Sequence, residues 1–101
     1  MTINGEKNNT ALTIELEGRL DTATSPMLED YLSENLMEDI LELRFDLGQL
    51  SYISSAGLRV LLSTQKKMDK RNGKMIICNV PDLIMDIFDV VGFADIFTIE
   101  R

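Results

Sequence analysis

The 101-residue chain has no histidine, no tryptophan, one cysteine, two prolines and six aromatic residues. Without histidine, Ser-His-Asp and Cys-His catalysis is excluded. A zinc site is likewise left without its usual ligands. The lone Cys78 allows no intramolecular disulfide, which fits a reducing compartment. With no tryptophan and scattered tyrosine and phenylalanine, there is no stacking platform for bases. Positive charge is scarce as well: ten basic residues stand against seventeen acidic ones, for a net charge of −7. Direct nucleic-acid binding needs a basic stripe that displaces counterions, and an anionic lipid surface attracts lysine and arginine; neither function suits this chain. No apolar run reaches the roughly 20 residues of a membrane span, so membrane insertion is not expected. The segment Met1 to Glu6 lacks the basic and apolar regions of a signal peptide. These absences describe a cytoplasmic protein with no cofactor, and its acidity suits a partner with a basic face.

What is present fits one domain, residues 1–101, with 45% apolar residues to build its core. Residues 10–18 alternate, Leu12, Ile14 and Leu16 against Thr13, Glu15 and Glu17, as a half-buried strand does. The stretch Thr2 to Lys7 pairs with it through a turn at Asn8-Asn9, where asparagine tolerates left-handed geometry. Thr24 or Ser25 caps a first helix, with Pro26 in its first turn and Leu28, Tyr31, Leu32 and Leu36 on one face. A second alternating strand runs from Leu41 to Leu47, with Leu41, Leu43 and Phe45 inward. A helix from Ser55 buries Leu58, Leu61, Leu62 and Met68 and ends at Asn72-Gly73. Met75 to Cys78 is a continuous apolar strand, in which Cys78 is a small buried hydrophobe. Pro81 opens a third helix carrying Ile84, Ile87, Phe88 and Val91; Gly92 ends it, and Ile96 to Ile99 forms a last strand.

The order β-β-α-β-α-β-α-β gives an α/β fold. Strands separated by helices lie parallel through right-handed crossovers. Strands covered on both faces read as continuous apolar runs, whereas two of these alternate. We therefore expect a mixed, mostly parallel sheet of about five strands, with helices mainly on one face.

The chemistry concentrates in Ser51-Tyr52-Ile53-Ser54-Ser55-Ala56-Gly57-Leu58-Arg59. Here a strand gives way to a helix, so two hydroxyls meet free amides and the positive end of a helix dipole. One hydroxyl is an ordinary N-cap, worth about 1 kcal/mol. Two exceed what a cap needs. Ala56 and Gly57 are small enough for another molecule to approach closely, and a glycine in the first turn costs about 1 kcal/mol relative to alanine. The turn is neither a nucleophile elbow, which needs glycine at Ile53, nor a P-loop, which needs Gly-Lys-Ser/Thr. With no base at hand the serine is a poor nucleophile, so the chain is not an enzyme. The turn is nevertheless a fair acceptor for a kinase, and phosphorylation would add about −1.5 to −2 charges that a partner seated over the turn would meet.

The run from Phe45 through Asp46-Leu47 to Ser54-Ser55-Ala56-Gly57-Leu58 resembles the signature of the STAS domain family. These are bacterial anti-sigma factor antagonists and the cytosolic modules of sulfate transporters. Glu17-Gly18-Arg19-Leu20-Asp21 is similar to the family's Gly-x-Leu-Asp after its long strand, and the element order agrees along the whole chain. The resemblance implies that Ser55 is the phosphoacceptor. It implies that the dephosphorylated form binds an anti-sigma factor with serine kinase activity and so releases a sigma factor, and that a phosphatase restores that form. It also implies that Asp21 lies beside the site, so that Asp21, Ser54, Ser55, Ala56, Gly57 and Arg59 form the partner-binding surface. Three positions depart from the family pattern. Ser54 replaces a usual aspartate and leaves a second hydroxyl competing as acceptor. Ala56 replaces a usual serine or threonine. Arg59 replaces a usual glycine, and is either a solvated charge or a partner for a phosphate or an acidic group. The alternative reading is a constitutive STAS subunit of an ABC-type lipid transport complex.

Overall fold

A left-handed residue, Asn9 at φ 58°, closes the first hairpin. It joins β1 (Thr2–Asn8) to β2 (Ala11–Leu20), antiparallel, with Ile3 opposite Leu16 and Gly5 opposite Ile14. The two-residue turn is Asn9-Thr10, one position beyond the expected pair. The computed structural model describes residues 1–100; Arg101, within the expected domain span, lies outside the described residues. The chain continues as α1 (Ser25–Asn35), β3 (Glu42–Ile53), α2 (Ser55–Lys70), β4 (Lys74–Cys78), α3 (Asp82–Val91) and β5 (Thr98–Glu100). The strands lie in the order β1-β2-β3-β4-β5, and every pair after the first is parallel. This is the mixed, mostly parallel α/β sheet that the element order predicts.

The alternation in β2 and β3 selects one face for the helices. Leu12 aligns with Leu43 and Met75, and Ile14 with Phe45, Ile77 and Ile99. These rows join Leu28 and Leu32 of α1, Leu58, Leu61 and Met68 of α2, and Ile84 and Phe88 of α3 in one core. Each fully buried side chain of this size contributes about 1.5–3 kcal/mol. The other face carries Thr13, Arg44, Ile76 and Thr98 in one row and Glu15, Asp46, Cys78 and Glu100 in the next. Ile76 and Cys78 are nevertheless buried there, so the continuous apolar run of β4 marks an inner strand buried on both sides.

β3 is longer than its periodicity predicts, ending at Ile53 instead of Leu47. Two irregularities carry it on. β2 advances from Glu15 to Glu17 while β3 advances from Asp46 to Gln49, and the step Gly18 to Arg19 faces the step Leu50 to Tyr52. Each extra residue resets the pleat. The inward row therefore runs Leu43, Phe45, Leu47, Leu50, Ile53, which no period of two describes. Asp46 steadies the first irregularity: its Oδ1 accepts the Gly48 N–H at 2.9 Å. Leu41, expected inward, precedes the strand and is exposed.

The other differences lie near helix ends. Leu62 is only half-buried, because Val60, Leu61 and Thr64 take the inner side of α2. The left-handed position after α2 belongs to Asn72, at φ 57°. Gly73 is needed instead for close approach: a Cβ there would stand 2.8 Å from the Leu41 carbonyl oxygen. α3 carries more apolar residues than one face can bury, so Ile87 is half-buried and Val91 exposed. Gly92 ends this helix at φ 78°. β5 starts at Thr98, not Ile96, and Phe97 before it packs edge-on against Phe88 and Phe93 with centroids 5.5 and 5.9 Å away.

Candidate functional site at the ends of β2 and β3

Because β2 and β3 are parallel neighbours, their C-terminal ends deliver two loops to one place. The Ser54 N–H donates to the Leu20 carbonyl at 2.9 Å, and the Ser51 hydroxyl donates to the Gly18 carbonyl at 3.0 Å. The turn into α2 is thereby pinned to the Arg19-Leu20-Asp21 segment. Ser54 leaves β3 in extended geometry, φ −96° and ψ 174°, and its Oγ accepts the Gly57 N–H at 3.3 Å. It is a helix N-cap in conformation and in bonding.

Gly57 is buried, and the reason is internal. A Cβ there would lie 2.7 Å from Leu20 Cγ, 2.9 Å from the Leu20 carbonyl oxygen and 3.0 Å from Ile53 Cγ1. Its bare Cα lets α2 start directly against β2 and β3. The sequence reading placed Gly57 on the partner-binding surface; the fold turns it inward, toward Leu20. Ala56 is half-buried and Ser55 and Arg59 are exposed. Ser55 and Arg59 stand one turn apart, the spacing at which helix side chains meet. Helix geometry leaves the amides of Ser55 and Ala56 without intrahelical acceptors, so the exposed hydroxyl stands on free donors.

Asp21 closes the neighbouring loop. Its Oδ1 accepts the N–H groups of Ala23 and Thr24, both at 3.0 Å. The Thr24 amide does most to hold its carboxyl below the ordinary 3.8, against the opposing effect of burial; the Thr24 hydroxyl, the Ala23 amide and the Arg19 charge also lower it. Thr24, expected to cap α1, occupies the N-cap position but makes no side-chain cap bond. Its hydroxyl accepts the Asp21 N–H at 2.8 Å and reaches the Arg19 carbonyl at 2.7 Å. Ser25 does not cap either; its hydroxyl donates to the Asp21 carbonyl at 2.6 Å. The carboxylate of Asp21 and these hydroxyls build a rigid hook before α1.

Two residues beside the site escape sequence reasoning. Arg19 lays its guanidinium 4.3 Å from the ring centre of Tyr52 and brings Nε within 3.6 Å of Asp21 Oδ2. A cation over an aromatic face is worth about 0.5–1 kcal/mol at an exposed site. The pairing depends on the irregularity in β3 that aligns Tyr52 with Arg19, and nothing in the local pattern reports it. A groove of about 530 Å³ runs from Ala56 and Arg59 between α1 and α2, bounded by Glu29, Asp30 and Lys67. No helix among the described residues is long and apolar enough to cross a membrane.

The result is a small one-sided α/β domain whose hydroxyl turn is pinned between two strand ends. The STAS domain model matches residues 2–101, and the chain belongs to that family. It is 33% identical over 86 residues to BtrV of Bordetella bronchiseptica, covering 85% of this chain and 74% of BtrV. It is 30% identical over 95 residues to the anti-sigma-B factor antagonist of Bacillus subtilis, covering 94% of this chain and 86% of that protein. Among solved structures, the anti-sigma factor antagonist SpoIIAA of Bacillus in its unphosphorylated form aligns with a TM-score of 0.79 at 17% identity, over 99% of this chain and 88% of SpoIIAA. The family's anti-sigma factor antagonists are binding and regulatory proteins, not enzymes.

Proposed function

We propose that this chain is an anti-sigma factor antagonist whose binding is switched by phosphorylation of Ser55. In the dephosphorylated state it holds an anti-sigma factor with serine kinase activity, and a sigma factor is set free. The kinase transfers the γ-phosphoryl group of ATP to Ser55 Oγ. The new O–P bond replaces the bond to ADP, and the hydroxyl proton passes to a base on the kinase. The docked partner then meets a dianion and lets go. A phosphatase hydrolyses the ester and resets the switch. The family match and the antagonist relatives support the role, as does the existence of SpoIIAA in both unphosphorylated and phosphorylated forms.

The observation that carries this reading is the division of labour between adjacent serines. Ser54 is half-buried with its oxygen committed to the Gly57 amide, whereas Ser55 is exposed. In this reading Asp21, Ser54, Ala56 and Arg59 supply the other contacts of the partner surface. The test is phosphorylation by an anti-sigma kinase with ATP. Ser55→Ala is expected to abolish modification while keeping affinity, and Ser55→Asp to weaken binding. Undiminished binding by the phosphorylated wild type ends the proposal. Stable co-purification with a transporter ATPase, indifferent to the state of Ser55, selects the constitutive-subunit reading instead.

A further inference from the structure

The outer side of α3 has no role in the site above, yet four of the exposed large hydrophobic side chains among the described residues lie on it or just beyond it. Leu83 is 56% exposed, Val90 86% and Val91 43%, and Ile96 just beyond the helix is 47% exposed. At 3.6 residues per turn, Leu83, Ile87, Val90 and Val91 fall within about a third of the helix circumference. Ile84 and Phe88 lie on one flank of this stripe and enter the core. Asp82, Asp86 and Asp89 lie on the other flank. Neither Asp86 nor Asp89 forms an ion pair among the described residues. A shallow groove of about 180 Å³ opens among Asp86, Ile87, Val90 and Val91.

Scattered exposed apolar residues are ordinary; a continuous stripe with a charged rim marks an interaction surface. The rim decides what covers it. A second copy packed antiparallel about a two-fold axis would set the Asp86 and Asp89 flanks of the two chains side by side, in molecules that each carry −7. A helix with leucine-like residues along one face and lysine or arginine beside them satisfies both the stripe and the carboxylates. We infer that the Leu83–Val91 face of α3 docks a basic amphipathic helix of another protein. This surface shares no residue with the Ser55 turn, and the inference does not rest on the proposed phosphorylation.

The probe is a synthetic amphipathic helical peptide with leucines on one face and lysines flanking them, titrated into the isotope-labelled full chain. Amide shifts are expected to concentrate in residues 82–96. Val90→Asp, at a position too exposed to disturb folding, is expected to weaken binding by at least about tenfold. A matching peptide with glutamates in place of lysines is expected to bind only the Asp86→Lys/Asp89→Lys variant. Shifts centred on α2 or on the open sheet face overturn the inference, as does binding indifferent to Val90→Asp. A concentration-dependent dimer of the wild type, lost in Val90→Asp, overturns it in favour of a second copy.

Discussion

Gly57 and Leu20 meet so closely that a Cβ on Gly57 would stand 2.9 Å from the Leu20 carbonyl oxygen and 2.7 Å from its Cγ. The same carbonyl receives the Ser54 N–H at 2.9 Å. One backbone oxygen of β2 thus sets both the height and the angle at which α2 departs, and with them the display of Ser55.

Gly57→Ala tests this contact. Alanine gains up to about 1 kcal/mol in helix propensity, while forcing a methyl group into a packed site costs about 1–3 kcal/mol. The obstruction includes backbone, which cannot swing aside, so the net effect is destabilising by up to about 2 kcal/mol. Urea denaturation is expected to show a lowered midpoint at unchanged slope. A midpoint at or above the wild-type value refutes the close approach.

The adjacent serines separate by stability. Ser54→Ala removes the oxygen that accepts the Gly57 N–H and is expected to cost about 1 kcal/mol. Ser55→Ala removes an exposed hydroxyl and is expected to change stability by less than about 0.5 kcal/mol. Equal losses in thermal unfolding of the two variants contradict the assignment of Ser54 as the cap.

Asp21 gives an acid-dependent signal. Its folded pKa lies below the ordinary 3.8, chiefly because the Thr24 amide donates to the carboxylate. A depressed carboxyl stabilises the fold above the unfolded value and ceases to do so as pH falls through the folded one. The stability advantage of wild type over Asp21→Asn is therefore expected to be full at neutral pH and to shrink below about pH 4. Parallel denaturation series at pH 7 and in acid measure it. A difference that stays constant across that range rules out the carboxylate hook.

The fold was largely written in periodicity and punctuation. Clean alternation in β2, the apolar run of β4 and the signals at Asn72 and Gly92 specify a one-sided mixed sheet through local rules. The serine turn was legible because a strand meets a helix there. What local rules missed was non-local. The register shifts of β3 are defined only against β2, so Tyr52 looked like turn and its place beneath Arg19 stayed hidden. The inward orientation of Gly57 depends on Leu20, 37 positions earlier in the chain. Val91 fits the core face of α3 by spacing alone, yet it stands outside because Ile84 and Phe88 already fill the space.

A phosphate on Ser55 is expected to leave the fold intact. Ser55 is the first residue of α2 and is exposed, so the added charge sits at the positive end of the helix dipole. Such an anion contributes about 0.3–1 kcal/mol at low ionic strength, and salt screens it. Arg59, one turn further along and exposed, adds a cation within reach of the same phosphate. The phosphorylated protein is therefore expected to unfold at the same temperature as the unmodified one or slightly above it at low salt. The difference is expected to narrow at high salt and in Arg59→Ala. Binding to the kinase, in contrast, is expected to be lost under both conditions. A phosphorylated form that melts well below the unmodified chain would mean that the modification acts by loosening α2, and the switch would then be one of folding instead of docking.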